Sequence, residues 1–276
     1  MNSFSEPSEP GRLTRDGRRK LAPVLAAGGR EVVFAAHVSP NLVAIMRLKL
    51  ADGSQERVHP ALTAHQFDPA FSADGRYHCF AMSATSPQLV LVIQDTRDKA
   101  EAVFRPRDAR ATARHPSFAP DGSRVVFTLS DVGGQQIASV NPPGQDLRKL
   151  AESAGLSAWP SFSPDGRRIA FASSRQGDFQ VYVMNADGGD VRRLTRGPGM
   201  SVRPAWSPDG RRIAFTSNRG GRYAVFVMNA DGSGQRRVAE SSDRDDFAAW
   251  HPDGRHLVIV RERGGKGDLY QVEVPG

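Results

Sequence analysis

The stretch PSFSPDGRRIAF, residues 160–171, returns almost unchanged as PAWSPDGRRIAF at residues 204–215. Looser copies stand at 23–34 (PVLAAGGREVVF), 69–80 (PAFSADGRYHCF), 116–127 (PSFAPDGSRVVF) and 248–259 (AAWHPDGRHLVI). The residue before the shared glycine is Gly28, Asp74, Asp121, Asp165, Asp209 and Asp253, so the steps are 46, 47, 44, 44 and 44 residues. A fixed period of this length running through the chain is the signature of a repeat architecture.

Each copy reads as four strands. Ser-Pro-Asp-Gly is a tight turn in which Asp and Gly tolerate positive φ. Three residues past the turn stand Val32, His78, Val125, Ile169, Ile213 and Leu257; five past it stand Phe34, Phe80, Phe127, Phe171, Phe215 and Ile259. That spacing marks one buried face of a strand. The residues between them (Val33, Cys79, Val126, Ala170, Ala214, Val258) are small or aliphatic, so the second face is also predicted to be covered. A Gly-rich hairpin such as SNRGGRYA follows, then a third strand such as VFVMNADG, then a polar outer strand such as VRRLT. Helical spacing of apolar residues is missing. The expected fold is all-β: a six-bladed β-propeller with four antiparallel strands per blade.

The last copy ends after its third strand, LYQVEV at 269–274, and lacks an outer strand. Near the start, Arg12, Leu13 and Thr14 match the end of the RRLT motif at 192–195. An open edge strand would leave backbone groups unpaired. The N-terminal strand is therefore expected to complete the last blade and close the ring. The organisation expected is a disordered tail over residues 1–10 and one propeller over 11–276.

Composition sets outer limits. Of 276 residues, 39% are hydrophobic and 24% charged, enough for a substantial core. No apolar run approaches a membrane span. The first residues, MNSFSEPSEPGRLTRDGRRK, hold no apolar export segment, so the chain as written is expected in the cytoplasm, or in the periplasm if an export signal was trimmed. The single cysteine, Cys79, excludes an intrachain disulfide and a Cys-based zinc site. The net charge of +7 comes from scattered Arg pairs rather than a basic stripe with interleaved aromatics, which argues against nucleic acid.

The phrases SPDGRRIAF, SNRGG, VMNADGSG and RRLT together resemble the TolB-type, WD40-like (PD40) propeller repeat, over residues 11 to 276. The resemblance implies a stand-alone propeller, since the smaller α/β domain that precedes it in TolB is missing here. It also implies protein binding without catalysis, in envelope or transport-related assemblies, for the best-known member binds the lipoprotein Pal over one propeller face. No cofactor and no membrane insertion are expected, and the chain is expected to act as a monomer.

A binding site is expected where the loops leading into the innermost strands meet the central channel. The residues just before the aligned start of those strands are Ala22, Asp68, His115, Trp159, Arg203 and Phe247; Asp246 stands one residue earlier in the last copy. The turns hardly change from copy to copy, whereas this ring mixes acid, base, imidazole and aromatics. The candidate binding residues are therefore Asp68, His115, Trp159, Arg203, Asp246 and Phe247, set against the plainer reading that they plug the channel. Arg175, Arg219, Arg222, Arg261, Arg263 and Lys266 on the hairpins read either as solubilising charge or as a positive rim steering an acidic partner.

Some TolB-like propellers resemble lyases of pectate fragments that use a channel His cluster and a metal. Of the seven histidines here, only His115 maps to the channel mouth, with His65 nearby. That is too few ligands for a metal, and no catalytic residue is assigned. The leading reading is a protein- or peptide-binding scaffold. The alternatives are a funnel-site enzyme acting on an acidic saccharide or lactone, and an accessory propeller of a larger protein.

Overall fold

A computed structural model describes residues 9–84, 87–150 and 153–275. Most of the tail expected over residues 1–10 lies outside the described residues.

The recurring turn is built by its own side chains. In the fourth copy Ser163 Oγ donates to Asp165 Oδ1 (2.5 Å), Arg167 N donates to the same oxygen (3.1 Å) and Arg168 N donates to Ser163 Oγ (2.9 Å). The fifth copy repeats this with Ser207, Asp209, Arg211 and Arg212 at 2.6, 3.0 and 2.9 Å. Gly166 and Gly210 close the two turns at φ 70° and 68°, where a β-carbon would be strained. The side chains take over the hydrogen bonds that the reversing backbone gives up.

The turn feeds a strand buried on both faces. Phe34, Phe80, Phe127, Phe171 and Phe215 are 0% exposed, and Val33, Cys79, Val126, Ala170, Ala214 and Val258 are at most 1% exposed. Each buried Phe contributes roughly 1.5–3 kcal/mol. Clusters such as Ala170, Val181, Val183, Trp206, Ile213 and Phe215 bridge successive repeats, so the core lies between sheets stacked face to face. Burial drives the Cys79 thiol pKa up, making it an inert packing group.

The chain is an all-β propeller, but the six separate four-stranded blades read from the sequence require correction. The described strands form five hydrogen-bonded sheets, with four, eight, four, four and three strands. The second and third repeats are joined into the eight-stranded sheet by one parallel bridge, Leu89 to Thr112. It forms because the innermost strand Thr112–Phe118 starts beside the third strand of the preceding repeat, Leu89–Asp95, with Leu89 N donating to Ala111 O (3.4 Å). The last repeat has three strands, Arg244–Trp250, His256–Arg263 and Lys266–Glu273. The N-terminal segment meets it through an isolated bridge, Arg12 to Tyr270, rather than as a strand.

The innermost strands Lys20–Ala26, Gln66–Phe71, Thr112–Phe118, Ser157–Phe162, Ser201–Trp206 and Arg244–Trp250 lie side by side in that order, and the last touches the first. They surround a central channel. Apart from a single 3-10 turn at Ala27–Gly29, no helix occurs among the described residues, and none is long and apolar enough to cross a membrane.

Although only one residue pair bridges, the N-terminal segment reproduces an outer strand atom by atom. In the fourth repeat Leu194 N donates to Val181 O (2.8 Å), Val181 N donates to Thr195 Oγ1 (2.9 Å), and Arg193 Nε donates to Thr195 O (2.8 Å). At the seam Leu13 N donates to Leu269 O (2.8 Å), Leu269 N donates to Thr14 Oγ1 (3.0 Å), and Arg12 Nε donates to Thr14 O (3.1 Å). Asp268 joins the two ends: it accepts from Arg12 Nη2 (2.9 Å), Thr14 Oγ1 (2.7 Å) and Lys20 Nζ (3.2 Å).

Candidate binding site in the central channel

Every innermost strand carries the same irregularity. Its pairing with the next strand shifts register between Leu21 and Val24, and likewise at the aligned positions of the other five repeats. The residue at the shift has left-handed backbone: Ala22, Asp68, His115, Trp159, Arg203 and Phe247 have φ of 47°, 52°, 55°, 54°, 53° and 52°. In all but the last repeat a proline follows, which has no N–H to give to the ladder and so sits without loss at a bulge. Such backbone costs roughly 1–3 kcal/mol per non-glycine residue. Because Ala22 shares it, the bulge belongs to the architecture. The residue type placed on it is what differs between repeats.

The bulges bring Ala22, Asp68, His115, Trp159, Arg203 and Phe247 around one cavity of about 140 Å³, with Pro23, Pro69, Pro116, Pro160 and Pro204 also lining it. Asp246 is not among its lining residues; it faces a neighbouring hollow of about 220 Å³ with Arg19, Arg244 and Glu262. Sequence reasoning thus located the ring, and the structure divides its members in two.

The two carboxylates are engaged internally. Asp68, 4% exposed, accepts from Arg114 Nε (2.5 Å) and Nη2 (3.1 Å) and from His115 N (3.1 Å). Burial opposes its ionisation, but the charges of His115 and Arg114 and these hydrogen bonds outweigh it and hold the pKa at about 2. Asp246, also 4% exposed, accepts from Arg203 Nη1 (3.1 Å), Arg244 Nη2 (3.1 Å) and Phe247 N (2.8 Å). Neither is left over to bind a ligand.

The other four form a connected surface. The Arg203 guanidinium carbon lies 4.2 Å from the Phe247 ring centroid and 5.1 Å from that of Trp159, a cation–π stack on both sides. His115 lies 5.5 Å from Trp159 between ring centroids, and its Nδ1 is 3.2 Å from Thr128 Oγ1. Burial first, and the nearby Arg114 and Arg203 charges, lower the His115 pKa to about 4 against the pull of Asp68, so the ring is neutral at pH 7. Thr128 Oγ1 also accepts from Trp159 N (3.0 Å), and Phe179 meets the Trp159 ring edge-on at 5.6 Å. Thr128, Phe179 and Arg244 escaped the sequence reading because they lie outside the aligned position; only the fold brings them in.

The basic hairpin residues are largely engaged. Arg175 lies over the rings of Phe171 and Tyr182, and Arg219 over Phe215 and Phe226. Arg261 pairs with Asp245, Arg263 with Asp243 and Glu9, and Arg222 donates to Ser242 O. In the hollow of about 490 Å³ lined by Glu9, Arg12, Arg261, Arg263 and Lys266 the three arginines are therefore already paired with carboxylates. His65 is not among the residues lining the channel cavity; its Nδ1 accepts from Val43 N (3.2 Å). No group of three or more metal-ligating side chains occurs among the described residues.

Comparison with known proteins gives the family. No curated protein matches the chain in sequence. Among solved structures it is similar to TolB from Acinetobacter baumannii, with 19% identity, a TM-score of 0.75, and 92% of this chain against 65% of that one covered. It is as similar to a putative TolB from Agrobacterium tumefaciens, with 20% identity, TM-score 0.75, and 96% and 93% covered. A gluconolactonase from Xanthomonas campestris follows at 16% identity and TM-score 0.71, with 96% and 88% covered. At these identities the likeness shows fold alone. The TolB beta propeller domain family matches residues 46–201 and 194–276, most of the chain, and the protein belongs to that family.

Proposed function

We propose that the protein is a non-catalytic scaffold that binds a protein or peptide at the channel, within an envelope or transport-related assembly. The observation that carries this reading is the Trp159–Arg203–Phe247 stack on the cavity wall. Aromatic and Arg side chains held rigidly in a partly buried pocket are the usual anchors of protein interfaces. The pairing of Asp68 and Asp246 with arginines argues against funnel-site hydrolysis or lysis, since both carboxylates are already occupied by guanidinium groups.

Photo-crosslinking tests the reading. A benzophenone amino acid replacing Phe247 is expected to capture a discrete partner, whereas one replacing Arg192 on the exposed outer strand is not. The same partner captured equally from both positions, or none from Phe247, would remove the channel from consideration.

A further inference from the structure

The channel holds two buried donors with nothing to donate to. Trp159 Nε1 and Arg203 Nε have no hydrogen-bond partner, and both are shielded from solvent. Indole and guanidinium are donors only, so no reorientation of their own atoms can satisfy them. Most buried polar groups in native proteins are paired, and each orphan costs roughly 1–3 kcal/mol. These two sit in neighbouring repeats, with the guanidinium carbon 5.1 Å from the indole. One acceptor group at the edge of this stack would serve both.

Charge narrows that acceptor. Arg114, Arg203 and Arg244 face the carboxylates Asp68, Asp246 and, at 3.8 Å from Arg244 Nη1, Glu262, so the arginines are matched in number, but the Nε of Arg203 is left as a cationic donor without an acceptor. A carbonyl would satisfy the donors; a carboxylate satisfies them with the shorter, stronger hydrogen bond that a guanidinium N–H makes to an anion. Size narrows it further. The cavity of about 140 Å³ is below the roughly 300–1,000 Å³ of a site that engulfs a small molecule. It has room for one end of a ligand, and the prolines around it suit an apolar side chain.

We infer that the channel receives the C-terminal carboxylate of a polypeptide, together with a small apolar last residue, beside the Arg203–Trp159 stack. This rests on the peptide-binding reading above and deepens it. The carboxylate accepts from Arg203 Nε and Trp159 Nε1, while Asp246 keeps Arg203 Nη1 and fixes the guanidinium plane. The left-handed backbone at both residues holds them in place before the ligand arrives, which lowers the entropic cost of binding.

The experiment is calorimetric titration of the full chain with acetyl-Gly-Gly-Ser-Val bearing a free C-terminus, with the same peptide amidated, with isobutyrate and with inorganic phosphate. The free acid is expected to bind at least about tenfold tighter than the amide, as loss of a charged hydrogen-bonding partner should produce. Trp159→Phe, which keeps an aromatic ring on Arg203 but has no N–H, should weaken the acid about fivefold or more and change the amide far less. Arg203→Gln should do the same, and Arg203→Lys, if Arg203→Gln melts early, should retain charge yet lose most of the gain because it lacks the Nε donor. Isobutyrate or phosphate binding as tightly as the peptide acid would overturn a polypeptide source. Acid and amide binding equally would overturn the carboxylate while leaving peptide binding intact. No heat with any of the four would overturn the inference outright, and a positive crosslink from position 247 would then still stand by itself.

Discussion

At the scale of single residues, Asp68 shows how a variable position can be structural without being inert. It is buried, yet Arg114 from the next repeat grips it with two nitrogens, so the pair crosses from one innermost strand to its neighbour. At neutral pH His115 is uncharged and Arg114 is the working counterion; an imidazolium adds to it only below about pH 4. Replacing Asp68 by Asn keeps the shape and strands the guanidinium. A fully buried broken pair costs roughly 3–5 kcal/mol, and the partial exposure of Arg114 reduces this to roughly 2–3 kcal/mol. Urea titration at pH 7 is expected to show that loss. In the wild type the folded carboxyl has its pKa at about 2, below the unfolded value of about 3.9, so its contribution is present above about pH 4 and disappears as pH falls towards 2. Asp68→Asn should flatten the wild-type curve in that window. The ring itself was readable in the sequence, because one aligned position changed while the turn beside it did not. The division of labour within it was not. Asp68 and Trp159 occupy equivalent positions, and only the placement of Arg114 and of the unpaired Nε1 tells a counterion from a contact surface.

At the scale of elements, the seam between chain ends depends on a few atoms. Asp268 accepts from Arg12, Thr14 and Lys20, and Lys20 is 1% exposed with further bonds to Gly267 O (3.0 Å), Arg18 O (3.1 Å) and Asp16. Burial opposes ionisation of Asp268, but the Thr14 and Arg12 hydrogen bonds and the Lys20 charge keep its pKa below the ordinary range. Asp268→Asn would leave the Lys20 ammonium short of its buried counterion, costing about 3 kcal/mol, or roughly 10 °C in Tm for a chain of this size. Deleting residues 1–15 keeps the Lys20–Asp268 pair but removes Arg12, Thr14 and the edge-pairing hydrogen bonds at about 1 kcal/mol each, so its Tm should fall as well. Differential scanning calorimetry separates the two effects. A deletion that melts like the wild type would mean that the last sheet does not need this segment. The Leu13–Thr14 match to Leu194–Thr195 was legible because the same two atoms, a backbone N–H and a threonine hydroxyl, do the same work in both places. That Arg12–Thr14 would fall short of a regular strand was not legible, since the motif carries no information on how far the pairing extends.

At the scale of the whole molecule, the repeat announced sheets stacked around a channel, because a period of 44 to 47 residues with strand alternation leaves few other packings. The merging of the second and third repeats depended on one contact, Leu89 with Thr112, set by the path of the connecting loop and invisible to any repeat pattern. The second repeat also departs from its fellows at His78, 4% exposed where the others place Val, Ile or Leu. Its ring stacks on Phe71 (4.5 Å) and on His59 (5.4 Å), and neither His59 Nε2 nor His78 Nε2 has a hydrogen-bond partner. Burial lowers the His78 pKa to about 3, and that of His115 to about 4. Groups held neutral in this way bind fewer protons folded than unfolded once pH drops below the unfolded value of about 6.5, so stability falls as pH falls. With two such histidines, each contributing about 1.4 kcal/mol per pH unit below 6.5, the propeller should lose about 4 kcal/mol between pH 7 and pH 5. The charge of +7 at pH 7 can only grow over this range, and its self-repulsion would act in the same direction. His78→Phe separates the causes: it removes the His78 proton uptake and leaves net charge near pH 7 untouched. Urea melts at both pH values are expected to show roughly half the wild-type loss in that variant. An unchanged difference would assign the acid sensitivity to surface charge and clear the imidazole stack of any part in it.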